Sequence, residues 1–285
     1  MSENIPAYQH ILFETRSGVA HITLNRPGRM NAMSYGPGSN SEEIAQALGL
    51  ADADPEVGCV LVTAAGRAFC AGGNLSENAI PECALDAHLF LERVTHSRVA
   101  IRGMHKPVIA AVNGLCLGGG LGFASQCDFV LAADDARFGL VEGRFGAGGV
   151  AAVVGRIGPM WAKFLIWTGE MIDARRARKI GLVLEVIPAA ELHERAWDLA
   201  KRIARMPREA VLLNKACVDA MEHCLRGPSE IAGRAGEVIT LSMIQHARAS
   251  DGRLFAEILR EEGMAGLKRA RDAQFTTRWL KESDY

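Results

Sequence analysis

Residues 106–142 read KPVIAAVNGLCLGGGLGFASQCDFVLAADDARFGLVE. PVIAAVNG is a short, wholly apolar run of the kind that forms a strand buried on both faces. Its Asn-Gly pair marks a turn. Three glycines, Gly118, Gly119 and Gly120, then open GGLGFASQC, which is predicted helical, and DFVLAA is predicted as the next strand. Strand, turn, helix and strand with short links make an α/β pattern. The twenty residues from Val108 to Cys127 carry no charge, a length that could span a bilayer. Asn113, Ser125, Gln126 and five glycines dilute their apolarity, so a buried strand–turn–helix is expected and no membrane partner. Glycines opening a helix leave free N–H groups with no Cβ nearby, and a ligand oxygen can approach them closely. Tight helix–strand packing uses the same residues, and the segment alone leaves both readings open.

Working outward, GVAHITLNRP is a predicted strand stopped by Pro27, and GCVLVTAAG another with a glycine at each end. ALDAHLFLERVTHSRVAIRGM has helical periodicity, with Leu85, Leu89, Val94 and Ile101 near one stripe. After Val150 the chain turns helical. VAAVVGRIGPMWAKFLIWTG and DARRARKIG read as helices, the second opening on an Asp. LVLEVIP is the last strand. Helices follow from Ala189: AAELHERAWDLAKRIARM, PREAVLLNKACVDAMEHCL, then Ser229 to Glu262. Residues 1–200 are taken as the core and 201–285 as a helical region forming a lid or an oligomer contact. The apolar residues of the tail (Leu192, Trp197, Val211, Leu212, Val218) exceed what one small helical layer can bury.

The 285 residues are 49% hydrophobic and 23% charged, with a formal net charge of −1. That composition suits a globular protein and gives no general attraction to nucleic acid or anionic lipid. The 7 cysteines are scattered without C-x-x-C spacing, which argues against zinc and for a reducing, cytoplasmic compartment. MSENIPAYQHILFETRSG has no cationic stretch followed by an apolar run, so no secretory signal is expected.

Three segments are candidates for chemistry. LGGGLGFASQCD (117–128) fails the G-x-G-x-x-G dinucleotide pattern because position 123 is Phe. GRAFCAGGNL (66–75) ends a predicted strand in small residues. RFGLVEGRFGAGG (137–149) sets Glu142 among apolar residues and glycines, where burial would raise its pKa and suit it to take and give a proton near neutrality. Gly146, Gly148 and Ala151 satisfy G-x-G-x-x-A, but neither the apolar strand before it nor the acid about 20 residues on is present. No His, Cys and carboxylate cluster has metal-ligand spacing.

ITLNRPGRMNAM, GRAFCAGGNL, the 106–142 run, ARRARKIGLVLEVIP and LAKRIARMPREAVLLNK stand in an order and spacing that resembles the crotonase superfamily, the enoyl-CoA hydratases and isomerases. The likeness spans residues 10–215, with an echo in EGMAGLKRARDAQF. It implies a spiral of ββα units, a C-terminal helical region building homotrimers or dimers of trimers, and a coenzyme A thioester as substrate, with no separate cofactor and no metal. It implies an oxyanion hole from the N–H groups of Gly73 and Gly119, with coenzyme A bordered by Arg29, Ala32, Ala71, Gly73, Asn74, Leu75, Gly119 and Leu267, and Arg271 near its ribose phosphate.

The sequence departs from that family at several places. Hydratases carry a first glutamate two residues after the glycine triplet, where this chain has Gly122, while the second matches Glu142. Asn74 stands where Asp is usual, Leu267 where an aromatic is common, and the loop after Glu142 is shorter. Adding water benefits from two proton-handling groups, whereas shifting a double bond needs one base. Isomerisation of an enoyl-CoA by Glu142 is therefore the leading expectation. Hydration or hydration with cleavage, a carbon–carbon hydrolysis on a bulky or cyclic acyl group, and thioester binding without turnover stay open. His88, His96 and His105 are candidates for a second acid.

Overall fold

A computed structural model describes residues 6–74, 82–146 and 153–280, with the backbone alone for 223–234, 241 and 243. Leu75 lies outside the described residues. So do 147–152, which hold the shortened loop and Gly148 and Ala151 of the G-x-G-x-x-A match.

The chain opens with an antiparallel pair, β1 (Ile11–Arg16) and β2 (Val19–Leu24), in which Ile11 faces Leu24. Helix α1 (Asn40–Ala53) follows, its first turn capped by the Ser39 side chain accepting from the Glu42 N–H. Then come β3 (Cys59–Ala64), β4 (Ala68–Cys70), α2 (Ala84–Arg102), β5 (Val108–Val112), β6 (Leu115–Leu117), α3 (Gly119–Ala124), β7 (Phe129–Ala133) and β8 (Arg137–Gly139). Helix α4 (Val154–Thr168), β9 (Met171–Asp173), α5 (Ala174–Lys179), β10 (Glu185–Ile187), α6 (Leu192–Ala204), α7 (Arg208–Met243) and α8 (Phe255–Asp272) complete it.

Two sheets result. The larger runs β1-β2-β3-β5-β7-β10 and is parallel from β2 onward. The smaller runs β4-β6-β8-β9, with β9 antiparallel to β8. Strands β3, β5 and β7 enter the large sheet, and β4, β6 and β8, which follow them, enter the small one. Each turn of the chain adds one strand to each sheet, so the ββα spiral repeats in space although no short sequence repeat marks it.

The parallel strands CVLVTA and VIAAV are buried almost throughout, as expected for a sheet covered on both faces. Asp128, the first acid after the glycines, ties this core together. Its carboxylate accepts from the Val108 N–H at 2.7 Å and from Lys215 at 2.6 Å. Arg156 donates to the carbonyls of Ser125, Cys127 and Asp128, closing the C-terminal end of α3. The dipeptide Gly158-Pro159 interrupts α4: Gly158 sits at φ +73°, and Pro159 restarts the helix without needing an N–H.

Several expectations are revised. Leu85 and Leu89 are 64% and 41% exposed, and the core-facing stripe of α2 is Ala87, Leu91, Val94 and Ile101. The expected helix from Ser229 to Glu262 is two helices. Helix α7 runs without a break from Arg208 to Met243. A turn and a bridge between Arg248 and Leu254 then intervene before α8. Asp251 and Gly252, the latter at φ +86°, supply the turn chemistry of that break. Leu192 and Trp197 are buried within the chain, because α6 packs on the large sheet. The apolar side chains left exposed on α7 include Leu212, Leu213, Val218, Met221 and Ile239. A second, smaller apolar cluster joins Phe145, Ile244, Ala249, Phe255, Ile258 and Leu267.

Candidate active site

The site grows from the pairing of β4 with β6, which lays Cys70 beside Cys116. Just past those strands, Gly72–Gly73 and Gly118–Gly119 run side by side. A Cβ on Gly119 would stand 3.6 Å from the Gly73 nitrogen, and one on Gly72 would stand 3.8 Å from the Gly119 nitrogen. Gly119 is the first residue of α3, so no preceding turn takes up its N–H. At Gly73 the backbone bridge to Met33 uses the flanking groups: Met33 N–H donates to Gly72 O, and Asn74 N–H to Met33 O. Among the described residues both amides are thus left available.

The three adjacent glycines have three separate physical reasons. Gly118 has φ +49°, and a Cβ there would lie 2.9 Å from Glu142 Oε2. Gly119 carries one of the available amides and is only half-buried. A Cβ on Gly120 would approach Cys70 to 2.6 Å, so that glycine permits tight packing of α3 on β4. Of the two readings the sequence left open, packing accounts for Gly120, while Gly119 leaves its amide uncovered.

Glu142 arrives by a different route. Gly118 N–H donates to Gly139 O at 2.9 Å, joining β6 to the end of β8. The chain then makes a 3-10 turn, Val141–Phe145, held against α4 because any Cβ at Gly143 would collide with the Ile166 carbonyl. Glu142 Oε2 is shut off from solvent and has no hydrogen-bond partner among the described residues. Burial pushes its pKa up to about 7. A backbone hydrogen bond and the guanidinium groups of Arg98 and Arg271 pull the other way, and Glu237 adds to the rise. A carboxyl balanced near neutrality can accept a proton and return it.

The remaining expected residues are spread around this centre. Arg29 is exposed at the end of a 3-10 turn, and Ala32 follows it, half-buried. Asn31 locks that loop, donating to the Ala65 and Ala68 carbonyls at 2.8 Å while accepting from the Arg26 N–H at 2.7 Å. Ala71 N–H donates to Met30 O, and Asn74 is buried next to Gly73. Leu267 is buried in the second apolar cluster, and Arg271 pairs with Asp272, which also holds Arg144 at 3.0 Å.

None of the three histidines bears on Glu142. His88 lies on the surface beside Glu92, and His105 pairs with Asp52 at 2.7 Å. His96 lines a surface groove of about 360 Å³ with Leu89, Glu92 and Arg93, and Gly73, Gly119 and Glu142 are absent from its walls. Three residues at the centre were missed in the sequence: Tyr35, Arg98 and Glu237. Arg98 had a legible signal, since it follows Leu91 and Val94 on the core-facing stripe of α2.

The buried carboxyl has a consequence for stability. As pH rises from about 4.5 to about 7, the unfolded chain ionises Glu142 while the folded chain retains the proton, so stability falls across that window. Glu142→Gln removes the effect. Paired thermal melts should show little advantage of the variant near pH 5 and a growing one toward pH 8. A difference that stays constant with pH would contradict the shifted carboxyl.

Residues 14–278 match the family model for enoyl-CoA hydratase/isomerase. A probable enoyl-CoA hydratase from Rhizobium meliloti (strain 1021) is 33% identical over 278 residues, covering 95% of this chain and 100% of the relative. The crystal structure of an enoyl-CoA hydratase/isomerase from Xanthobacter autotrophicus Py2 matches with a TM-score of 0.84 and 34% identity, covering 95% of this chain and 100% of the other. That of a monofunctional enoyl CoA isomerase from M. smegmatis matches with a TM-score of 0.62 and 32% identity, over 75% and 93% of the two chains. With the parallel sheets, the alternating strand spiral and the paired glycine turns in place, this chain belongs to the enoyl-CoA hydratase/isomerase family and has the crotonase fold.

Proposed function

We propose that this chain moves the double bond of an enoyl-CoA between the β,γ and α,β positions, with Glu142 as the only proton carrier. The observation that carries this reading is a single unpartnered carboxyl oxygen facing the glycine turn. Gly122, where hydratases of the family have their other glutamate, has no side chain to hold a proton. In the proposed reaction the N–H groups of Gly73 and Gly119 donate to the thioester oxygen. Glu142 takes the α-proton, and the electron pair moves through the acyl group onto that oxygen. The same carboxyl then returns the proton to the γ-carbon, leaving an α,β double bond. No water is consumed. A pKa near 7 serves both halves, and each amide donor supports charge that develops only in the transition state.

Coenzyme A enters as part of the substrate, bordered by Arg29, Ala32, Ala71, Gly73, Asn74 and Leu75. Leu267 and Arg271, which pack and pair within the chain, border it from the C-terminal helix, with Arg271 near the ribose phosphate. The name of the Rhizobium relative favours hydration as the second reading. Carbon–carbon cleavage would use the same enolate.

The exposed apolar residues of α7 favour a homotrimer or a dimer of trimers, and the free thiols favour a cytoplasmic setting. Light scattering at micromolar concentration should give three or six times the mass of one chain, and a clean monomer would refute the assembly.

Glu142→Gln keeps the side-chain shape and removes the base. Turnover of a 3-enoyl-CoA should fall by roughly 10² to 10⁴, with thioester affinity nearly unchanged. Assay of wild-type enzyme on 3-enoyl-CoA and trans-2-enoyl-CoA separates the readings: isomerisation without net hydration is expected, and efficient hydration of the 2-enoyl thioester would favour the alternative.

A further inference from the structure

The Tyr35 hydroxyl is the side-chain group that reaches the two amides. A Cβ built on Gly119 would stand 3.0 Å from its oxygen, and one built on Gly73 would stand 3.7 Å away. We propose that Tyr35 is a catalytic residue whose hydroxyl donates a third hydrogen bond to the thioester oxygen, aimed there by Arg98. The inference rests on the reading of Gly73 and Gly119 as the oxyanion donors.

Three observations on different elements support it. First, the backbone that carries Tyr35 is in register with the site. Met33, two residues earlier, bridges Gly73 directly, and the Ser34 N–H donates to Asn40 Oδ1 at 2.8 Å. The Tyr35 ring rests edge-on against Phe90 of α2, with centroids 5.7 Å apart. The phenol is therefore placed by both neighbouring elements, as a preorganised donor must be.

Second, Arg98 faces the phenol oxygen from α2. A guanidinium has donors and no acceptor. Toward that group the phenol oxygen can act only as an acceptor, which leaves the hydroxyl hydrogen free to point elsewhere. Among the described residues no hydrogen bond uses that hydrogen, and the amides of Gly73 and Gly119 border the space beside it. A substrate oxygen drawn in by those amides would meet it.

Third, the charge state fits. Burial raises the phenol pKa, as does the nearby Glu142 carboxylate, and these outweigh the opposing pull of Arg98. Tyr35 thus keeps its proton at neutral pH and can donate. A neutral donor also tolerates Glu142 as a neighbour, where a second carboxylate would repel it. A site with one carboxylate thereby gains its additional stabilisation without a second negative charge.

The test uses Tyr35→Phe, which keeps the ring and its contact with Phe90. Two probes report enolate formation whatever the later chemistry: exchange of the α-protons of butyryl-CoA in deuterated water, and the ultraviolet enolate band of bound acetoacetyl-CoA. Tyr35→Phe should slow exchange about 10²-fold and reduce the bound enolate fraction at fixed pH, with thioester affinity within about threefold. Arg98→Lys keeps the charge but loses the planar fork, and it should fall between Tyr35→Phe and wild type in both readouts. Exchange and enolate band equal to wild type in Tyr35→Phe would overturn the donor role, as would a faster variant, which would mark the hydroxyl as an obstacle. If the variants behave as expected but wild type does not isomerise 3-enoyl-CoA, the donor role stands and the reaction proposed above falls.

Discussion

Gly118 and Gly120 each disfavour a side chain, the first by its φ of +49° and the second by its closeness to the Cys70 backbone. At the first, a Cβ would press on the Glu142 carboxyl at 2.9 Å, and at the second on Cys70 at 2.6 Å. This double exclusion lets two backbone turns from successive rungs of the spiral lie against each other and lets a carboxyl from the third rung close over them. The two available amides, the buried carboxyl and the tight seat of α3 all follow from that approach. Side-chain chemistry is sparse because the site is built mainly from main chain, whose groups are fixed by the sheets before any ligand arrives.

The second consequence is electrostatic. A carboxyl brought over glycine backbone gains no hydrogen bond at Oε2, and an unsatisfied buried acceptor typically costs about 1–3 kcal/mol. The same desolvation brings its pKa near neutrality, where proton transfer in both directions is least uphill. The charges around it come from three helices: Arg98 on α2, Glu237 on α7 and Arg271 on α8. Helices that look like outer layers of the fold therefore adjust a protonation that burial dominates.

The centre of the fold was legible because its signals are local. Apolar runs such as PVIAAV, the Asn-Gly turn and the glycine triplet each constrain a few consecutive residues, and strands β3, β5 and β7 fall where those signals place them. Glu142 stood out for the same reason, as one acid among apolar neighbours. The stripe of α2 was right at Val94 and Ile101 and misplaced by two residues, about half a turn, near its start, because Leu85 and Leu89 are apolar yet face outward. The end of α7 was missed because the Asp251-Gly252 turn is short beside the helical residues on either side. Tyr35 gave no local signal at all. It is one of three tyrosines, and only the bridge from Met33 to Gly73, which spans forty residues of sequence, shows that its loop reaches the glycine turns.

The central claim is that one carboxyl carries one proton between two carbons of the same acyl chain. It is tested most directly with a 3-enoyl-CoA deuterated at C2, turned over in ordinary water under single-turnover conditions, with the label located by mass spectrometry and NMR. The account predicts a 2-enoyl-CoA in which part of the deuterium has moved to C4, because a buried Glu142 returns it before exchange with solvent is complete. A 3-hydroxyacyl-CoA product with no deuterium at C4 would contradict it.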